Sequence, residues 1–227
     1  MSGIGPVGGG IWMPLSRMLL DMGPSYYWRL GEKVGTVAVD QLDAAPGTYT
    51  NSPTLAVPGL LRGGDSGSGV LFASASSHKV GLGSVVDLTA SAFTVLALVN
   101  TTSAPTRATI FGAASGGMEF QLYTGRPMLR CAAVSDSGTD AASTVSIGAT
   151  ALVAATYDLT TMYGWKDAVI GTAHPWTPAV TSGAKTTYIG VDPLTGDYFN
   201  GVIQEAAIFT RVLSQLEMTT LQNARTT

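Results

Sequence analysis

The run Met118-Glu119-Phe120-Gln121-Leu122-Tyr123 alternates apolar and polar residues with period two. That spacing predicts a strand with Met118, Phe120 and Leu122 turned inward and Glu119 and Gln121 turned outward. Ala92 to Asn100 is apolar at both odd and even positions, so it predicts a central strand in a sheet packed on both sides. Further strand-sized runs are Tyr26–Leu30, Gly47–Thr50, Ser68–Ala73, His78–Leu82, Ala108–Gly112, Met128–Val134, Ser143–Ile147, Thr150–Tyr157, Thr161–Trp165, Ala168–Thr172, Thr186–Ile189 and Val202–Phe209. Gly, Pro and Asp punctuate the intervals, with a tight turn expected at Lys166-Asp167. Short strands recurring every 8–12 residues or so, with no full-length helix between them, predict an all-β sandwich of two antiparallel sheets rather than an α/β fold.

Two short helices frame the strands. Ile11 to Met22 puts Leu15, Met18, Leu19 and Met22 on one face and stops at Gly23-Pro24. Near the C-terminus, Ser214 and Glu217 have capping-box spacing, with Leu213 and Met218 placed as a hydrophobic staple. That helix is expected to end near Asn223. The Gly-rich stretch Met1 to Gly10 has little side chain to bury and reads as an arm. The expected organisation is an arm and helix over 1–24 and one β domain over 25–227.

Apolar residues make up 45% of the 227, enough for a substantial core, while charged residues are only 12%. The surface is then Thr, Ser, Gly, Asn and Ala, either facing water or covered by neighbours in an assembly. Net charge is −3, with no Lys/Arg cluster, which sets nucleic-acid binding aside. The single cysteine, Cys131, excludes an internal disulfide. No apolar run approaches the roughly 20 residues of a membrane span. The N-terminal segment does not read as a signal peptide, because Arg17 and Asp21 interrupt it and no basic region precedes it.

Tyr27-Trp28-Arg29-Leu30-Gly31-Glu32, then Ala38-Val39-Asp40 and Gly47-Thr48-Tyr49, then Phe199-Asn200-Gly201-Val202-Ile203-Gln204-Glu205-Ala206-Ala207-Ile208-Phe209 with Leu213-Ser214, carry a family pattern. It resembles the laminin-G-like, concanavalin A-like jelly-roll domains found in bacterial surface proteins and bacteriophage structural proteins, over roughly 25–224. Gln204 departs from that pattern, which usually has Asp. The resemblance implies a jelly-roll sandwich and leaves the ligand open, since the fold hosts lectins, adhesion modules, hydrolases and inert structural parts.

Candidate chemistry is sparse. Retaining glycosidases need two carboxyls about 5–5.5 Å apart, and the glucanase-type E-x-D-x-E run is missing, because the strand at 118–123 carries Glu119 alone. Neither His78 nor His174 has a Ser or Cys partner signature, so no enzyme is expected. Relatives in the resemblance often bind Ca2+ through loop oxygens, which makes Asp65, Asp192 and Asp197 the candidate metal ligands; the competing reading makes each a turn residue bonding its own backbone. Trp165, Trp176 and Tyr198 lie beside turns as candidate sugar-stacking rings, or else pack over a sandwich edge. The resemblance, the low charge, the missing signal and the arm point to a non-enzymatic structural or attachment subunit of a bacteriophage virion. Its expected partners are other virion subunits, copies of itself through the N-terminal arm, and a host glycan. The alternative is a secreted bacterial carbohydrate-binding module.

Overall fold

The computed structural model describes residues 13–61, 67–84, 88, 91–103, 106–114, 117–131, 143–175 and 184–226. A seven-residue helix, α1 (Leu15–Asp21), leads into strands β1 (Tyr26–Trp28), β2 (Val37–Ala38), β3 (Gly47–Thr50), β4 (Thr54–Pro58), β5 (Ser68–Phe72), β6 (Lys79–Gly83), β7 (Phe93–Thr101) and β8 (Arg107–Ala113). They are followed by β9 (Met118–Tyr123), β10 (Arg126–Cys131), β11 (Thr150–Tyr157), β12 (Thr161–Lys166), β13 (Val169–Ile170), β14 (His174–Pro175), β15 (Thr187–Ile189), β16 (Gly201–Phe209) and helix α2 (Gln215–Thr226). The strands form two antiparallel sheets. The first runs β13-β12-β11-β7-β16-β5-β4, with β1 on β16 and β14 on β12; the second runs β10-β9-β8-β15-β6-β3-β2.

The alternation along the central strands explains the layering. On β7, Phe93, Val95, Ala97 and Val99 enter the core between the sheets, while Leu96 and Leu98 face the opposite way. On β11, Val153 and Ala155 point into the inter-sheet core and Leu152 and Ala154 point out of it. The outward set packs against Leu15 and Leu19 of α1 and Met218 and Leu221 of α2. The molecule therefore has three layers: helices, first sheet, second sheet. β7 is buried on both faces, as its apolar residues at both odd and even positions predict, and α1 is built into the packed domain. Tyr27 and Trp28 are fully buried.

The capping box forms as expected. The Ser214 amide donates to Glu217 Oε2 at 2.8 Å, and the Glu217 amide donates to Ser214 Oγ at 3.3 Å. Helix α2 runs on to Thr226, past the expected end. The tight turn is at Asp167-Ala168, both with positive φ (50° and 63°), which is the hairpin geometry that matches strand twist. Ser143 to Ile147 is not a strand: Val145 alone turns inward, its amide held at 2.7 Å by the Gly125 carbonyl, and Ile147 is exposed. Conversely, the Pro-flanked segment Thr54–Pro58 is a strand, tolerated because it lies at the first sheet's edge. The arm at Met1–Gly10 lies outside the described residues.

Candidate functional site

Helices cover the outer face of the first sheet, so the second sheet supplies the broad face opposite them. One continuous rung of strand pairs crosses it: Arg130, Glu119, Gly112, Tyr188, Gly81, Thr48 and Val37. The neighbouring rung, Leu129, Phe120, Phe111, Ile189, Val80 and Tyr49, points into the core. The first rung is therefore on the outer face. Tyr188 is half-buried there, with a glycine on each side. A Cβ at Gly81 would sit 3.7 Å from the Tyr188 ring, so the ring lies across Gly81, and Lys79 Nζ is 5.2 Å from the ring centroid.

Gly112 decides what happens beside Tyr188. A Cβ on it would fall 2.2 Å from the Val191 carbonyl oxygen and 2.9 Å from the Asp192 Cα. Only glycine lets the 190–198 segment cross the sheet at this height. That segment is a small closed loop. Val191 bridges Tyr198, the Asp192 amide donates to the Asp197 carbonyl at 3.2 Å, and the Gly196 amide donates to the Asp192 carbonyl at 2.9 Å. Within it, the Leu194 amide donates to Asp192 Oδ1 at 2.9 Å. Thr195 Oγ1 is 2.6 Å from both Asp192 Oδ2 and Asp197 Oδ2.

The loop brings Asp192 and Asp197 down onto Glu119. Each of the three offers a carboxylate oxygen, and these oxygens lie within 4.8 Å of one another. Asp192 is 3% exposed and Glu119 8%. Arg130 Nη1 donates to Glu119 Oε2 at 2.8 Å, while Glu119 Oε1 is buried with no hydrogen-bond partner. Burial, then the charge of Asp192, holds the Glu119 carboxyl above its ordinary range; Arg130 and Arg107 pull it down and Asp197 adds to the rise. Gln121, next along the same face, is fully buried, and neither its amide nitrogen nor its amide oxygen has a partner. The same holds for Thr109 Oγ1, on the strand position paired with Gln121, and for Arg130 Nε. Among the described residues, every buried side-chain polar atom without a partner belongs to these four neighbours on β8, β9 and β10. Glu119 and Gln121 do point away from the core, as their alternation predicts, but they are buried rather than solvated.

The sequence-derived candidates divide. Asp192 and Asp197 come together, with Asp192 also serving as a turn residue. Tyr198 is half-buried and follows Asp197 in the loop. Trp165 is corrected: it is 5% exposed, packs in the core between the first sheet and the helices, and donates its ring N–H to Thr156 Oγ1 at 3.0 Å. A ring enclosed in that way offers no face to a sugar. Asp65 and Trp176 lie outside the described residues. Sequence reasoning missed Glu119 as a partner of the two aspartates, and missed Tyr188. The alternation Thr187-Tyr188-Ile189 carries a signal for Tyr188, since an inward Ile189 turns its neighbour outward.

A groove of about 750 Å³ elsewhere is lined by Arg29, Glu32, Lys33, Gln41, Val57 and Pro58 among others. Its acid is occupied structurally: Glu32 accepts from the Val39 amide at 2.9 Å and from the Tyr49 hydroxyl at 2.6 Å. Gln204, the departure from the family pattern, is likewise structural. It accepts from the Leu60 amide at 2.6 Å and donates to Glu205 at 3.4 Å.

Residues 74–219 match the laminin-G family model described as concanavalin A-like lectin/glucanases superfamily, and the chain belongs to that superfamily. No curated protein matches in sequence. Among solved structures, the chain is similar to domain 4 of AbnA, a GH43 extracellular arabinanase from Geobacillus stearothermophilus, in complex with arabinotriose. The TM-score is 0.65 at 19% identity, over 88% of this chain and 98% of that one. It is also similar to Trypanosoma rangeli sialidase in complex with 2,3-difluorosialic acid (TM-score 0.64, 14% identity, 88% of this chain and 33% of that one). A third likeness is to the binding domain of botulinum neurotoxin DC in complex with rat synaptotagmin II (TM-score 0.64, 13% identity, 91% and 53%). The chain thus spans about a third of the sialidase and half of the toxin chain. At these identities the likeness is one of fold.

Proposed function

We propose that this chain is a non-enzymatic structural or attachment subunit of a bacteriophage virion that contacts host-surface glycans through the outer face of its second sheet. The observation that carries the glycan reading is Tyr188: a half-buried ring lying on the sheet between two glycines, beside the 190–198 loop with its partly exposed Asp197. Sugars are held by an aromatic face together with flanking polar groups. The non-enzymatic reading is supported by the state of the acids, since Glu119 is ion-paired with Arg130 and Asp192 accepts the Leu194 amide within its own loop. The virion context is supported by the sequence resemblance and the sparse surface charge. Assembly with other virion subunits and self-association through Met1–Gly10 belong to the same reading.

A glycan array probed with host-wall sugars tests the first part. Binding should fall roughly 5–10-fold in Tyr188→Ala, the loss of about 1 kcal/mol of stacking, and persist in Trp165→Phe. Silence across the array, or an unchanged Tyr188→Ala, overturns it. A second reading, a carbohydrate-binding module of a secreted bacterial protein, is favoured by the 98% coverage of the arabinanase domain. Mass spectrometry of purified particles separates the two, because the virion reading requires the chain to be found there.

A further inference from the structure

We propose that the sugar held at Tyr188 is an acidic one, a saccharide whose anionic substituent pairs with Lys79. This ligand class rests on the glycan reading above. Lys79 is half-buried on β6, and its Nζ stands 5.2 Å from the centroid of the Tyr188 ring. Other cations of the fold are matched by acids: Arg29 by Glu205, Arg130 by Glu119, Lys166 by Asp167 and Arg211 by Glu217. Among the described residues, no carboxylate lies within ion-pair distance of Lys79.

Lys79 and Gly81 share the outer face of β6, because Val80 between them points into the core. Gly81 pairs with Tyr188 on one side and Thr48 on the other, and Thr48 is exposed. Gly81 has no side chain, so Tyr188, Thr48 and Lys79 stand around a bare stretch of backbone. A sugar stacked on Tyr188 lies within reach of the Lys79 ammonium.

The ring attracts the ammonium without neutralising it. An ammonium has three donors, and its hydrogen bond to an anion is stronger than one to a neutral hydroxyl. The compact charge of Lys has no preference for a planar, two-pronged partner, so a sugar carboxylate, phosphate or sulfate shares the required chemistry. The surroundings also set a direction. Asp192 and Asp197 belong to the loop that passes over Gly112 on β8, one strand to one side of Tyr188, whereas Lys79 stands on β6, one strand to the other. An anionic substituent is repelled from the first flank and drawn to the second. The chain as a whole carries −3, so the preference is local to Lys79 and not a general affinity for anions.

The test is the affinity of the full chain for matched oligosaccharides that differ only in the acidic group: neutral, uronate-bearing, phosphorylated and sulfated, each at low and high salt. Wild type should bind at least one acidic form about 5-fold more tightly than the neutral one, and the margin should shrink at high salt. The three acidic arms identify which anion is taken. Lys79→Met should remove the margin and Lys79→Arg should keep most of it. Lys33→Met, which removes the same charge from the groove beside β4, should leave the margin intact, and melting curves check that each variant is folded. Equal affinity for neutral and acidic forms overturns the proposal while the glycan reading stands. A margin that survives in Lys79→Met also overturns it. Silence toward every saccharide overturns both.

Discussion

The Val191 carbonyl oxygen stands directly over Gly112, only 2.2 Å from where a Cβ would project. Backbone cannot yield there as a flexible side-chain tip could. Gly112→Ala should therefore lift the 190–198 loop from the sheet and cost about 1–3 kcal/mol. Hydrogen exchange should speed up selectively at 191–198. Gly148→Ala is the control: Gly148 has φ +75° but open space around it, so it should cost only about 1 kcal/mol of backbone strain and leave the loop's exchange unchanged. Urea midpoints give both costs.

Glu205 sits at the bulge in β16, where the register shifts between Gln204 and Ala207, with φ 54°. It is fully buried, accepts from the Tyr27 hydroxyl, and pairs with Arg29 at 3.3 Å. Removing the cation strands a buried carboxylate. Arg29→Met should cost about 3 kcal/mol, and the double variant Arg29→Met/Glu205→Gln should recover part of that loss. A double-mutant cycle in urea reads the coupling; strict additivity would contradict the pairing.

Acid should loosen the C-terminal cap. The Arg211 hydrogen bond, against some opposing burial and with help from the Ser214 amide and hydroxyl, lowers the Glu217 carboxyl from 4.5 to about 2. A folded-state value below the unfolded one means the stabilisation is complete above about pH 4.5 and is lost as pH falls toward 2. Solvent screening at this partly exposed site keeps it to roughly 1 kcal/mol or less. Glu217→Gln should be less stable than wild type at pH 7 by a similar amount, and the gap should close near pH 2. Chemical denaturation at a series of pH values checks this.

Trp165 should behave as a core residue. Trp165→Ala should cost about 3–5 kcal/mol. Thr156→Val, which removes only the acceptor of the ring N–H, should cost about 1 kcal/mol. If Trp165→Ala were nearly neutral, the ring would have to be exposed.

These sites differ in how far the chain betrays them. β7 is readable because Phe93 to Val99 is apolar at every position but Thr94, on odd and even positions alike, and only a strand buried on both faces needs that. The α2 start is readable because the cap is closed by residues three apart. Glu119 is not: alternation gives its direction, but the aspartates that meet it arrive on a distant loop, through a clearance at Gly112 that only the folded sheet makes visible. Trp165 is ambiguous for the converse reason. Nearness to a turn suggests exposure, whereas α1 and α2 closing over the first sheet bury it. Ser143 to Ile147 carries strand-like alternation, yet only Val145 finds a place in the core.

The two helices that cover the first sheet also touch each other, although one opens the described chain and the other closes it. Both ends of the fold thus emerge on the side opposite Tyr188, across two sheets whose layers are spaced about 10 Å apart. Anything tethered through either end holds the domain from behind, like a handle, and leaves the Tyr188 surface facing outward.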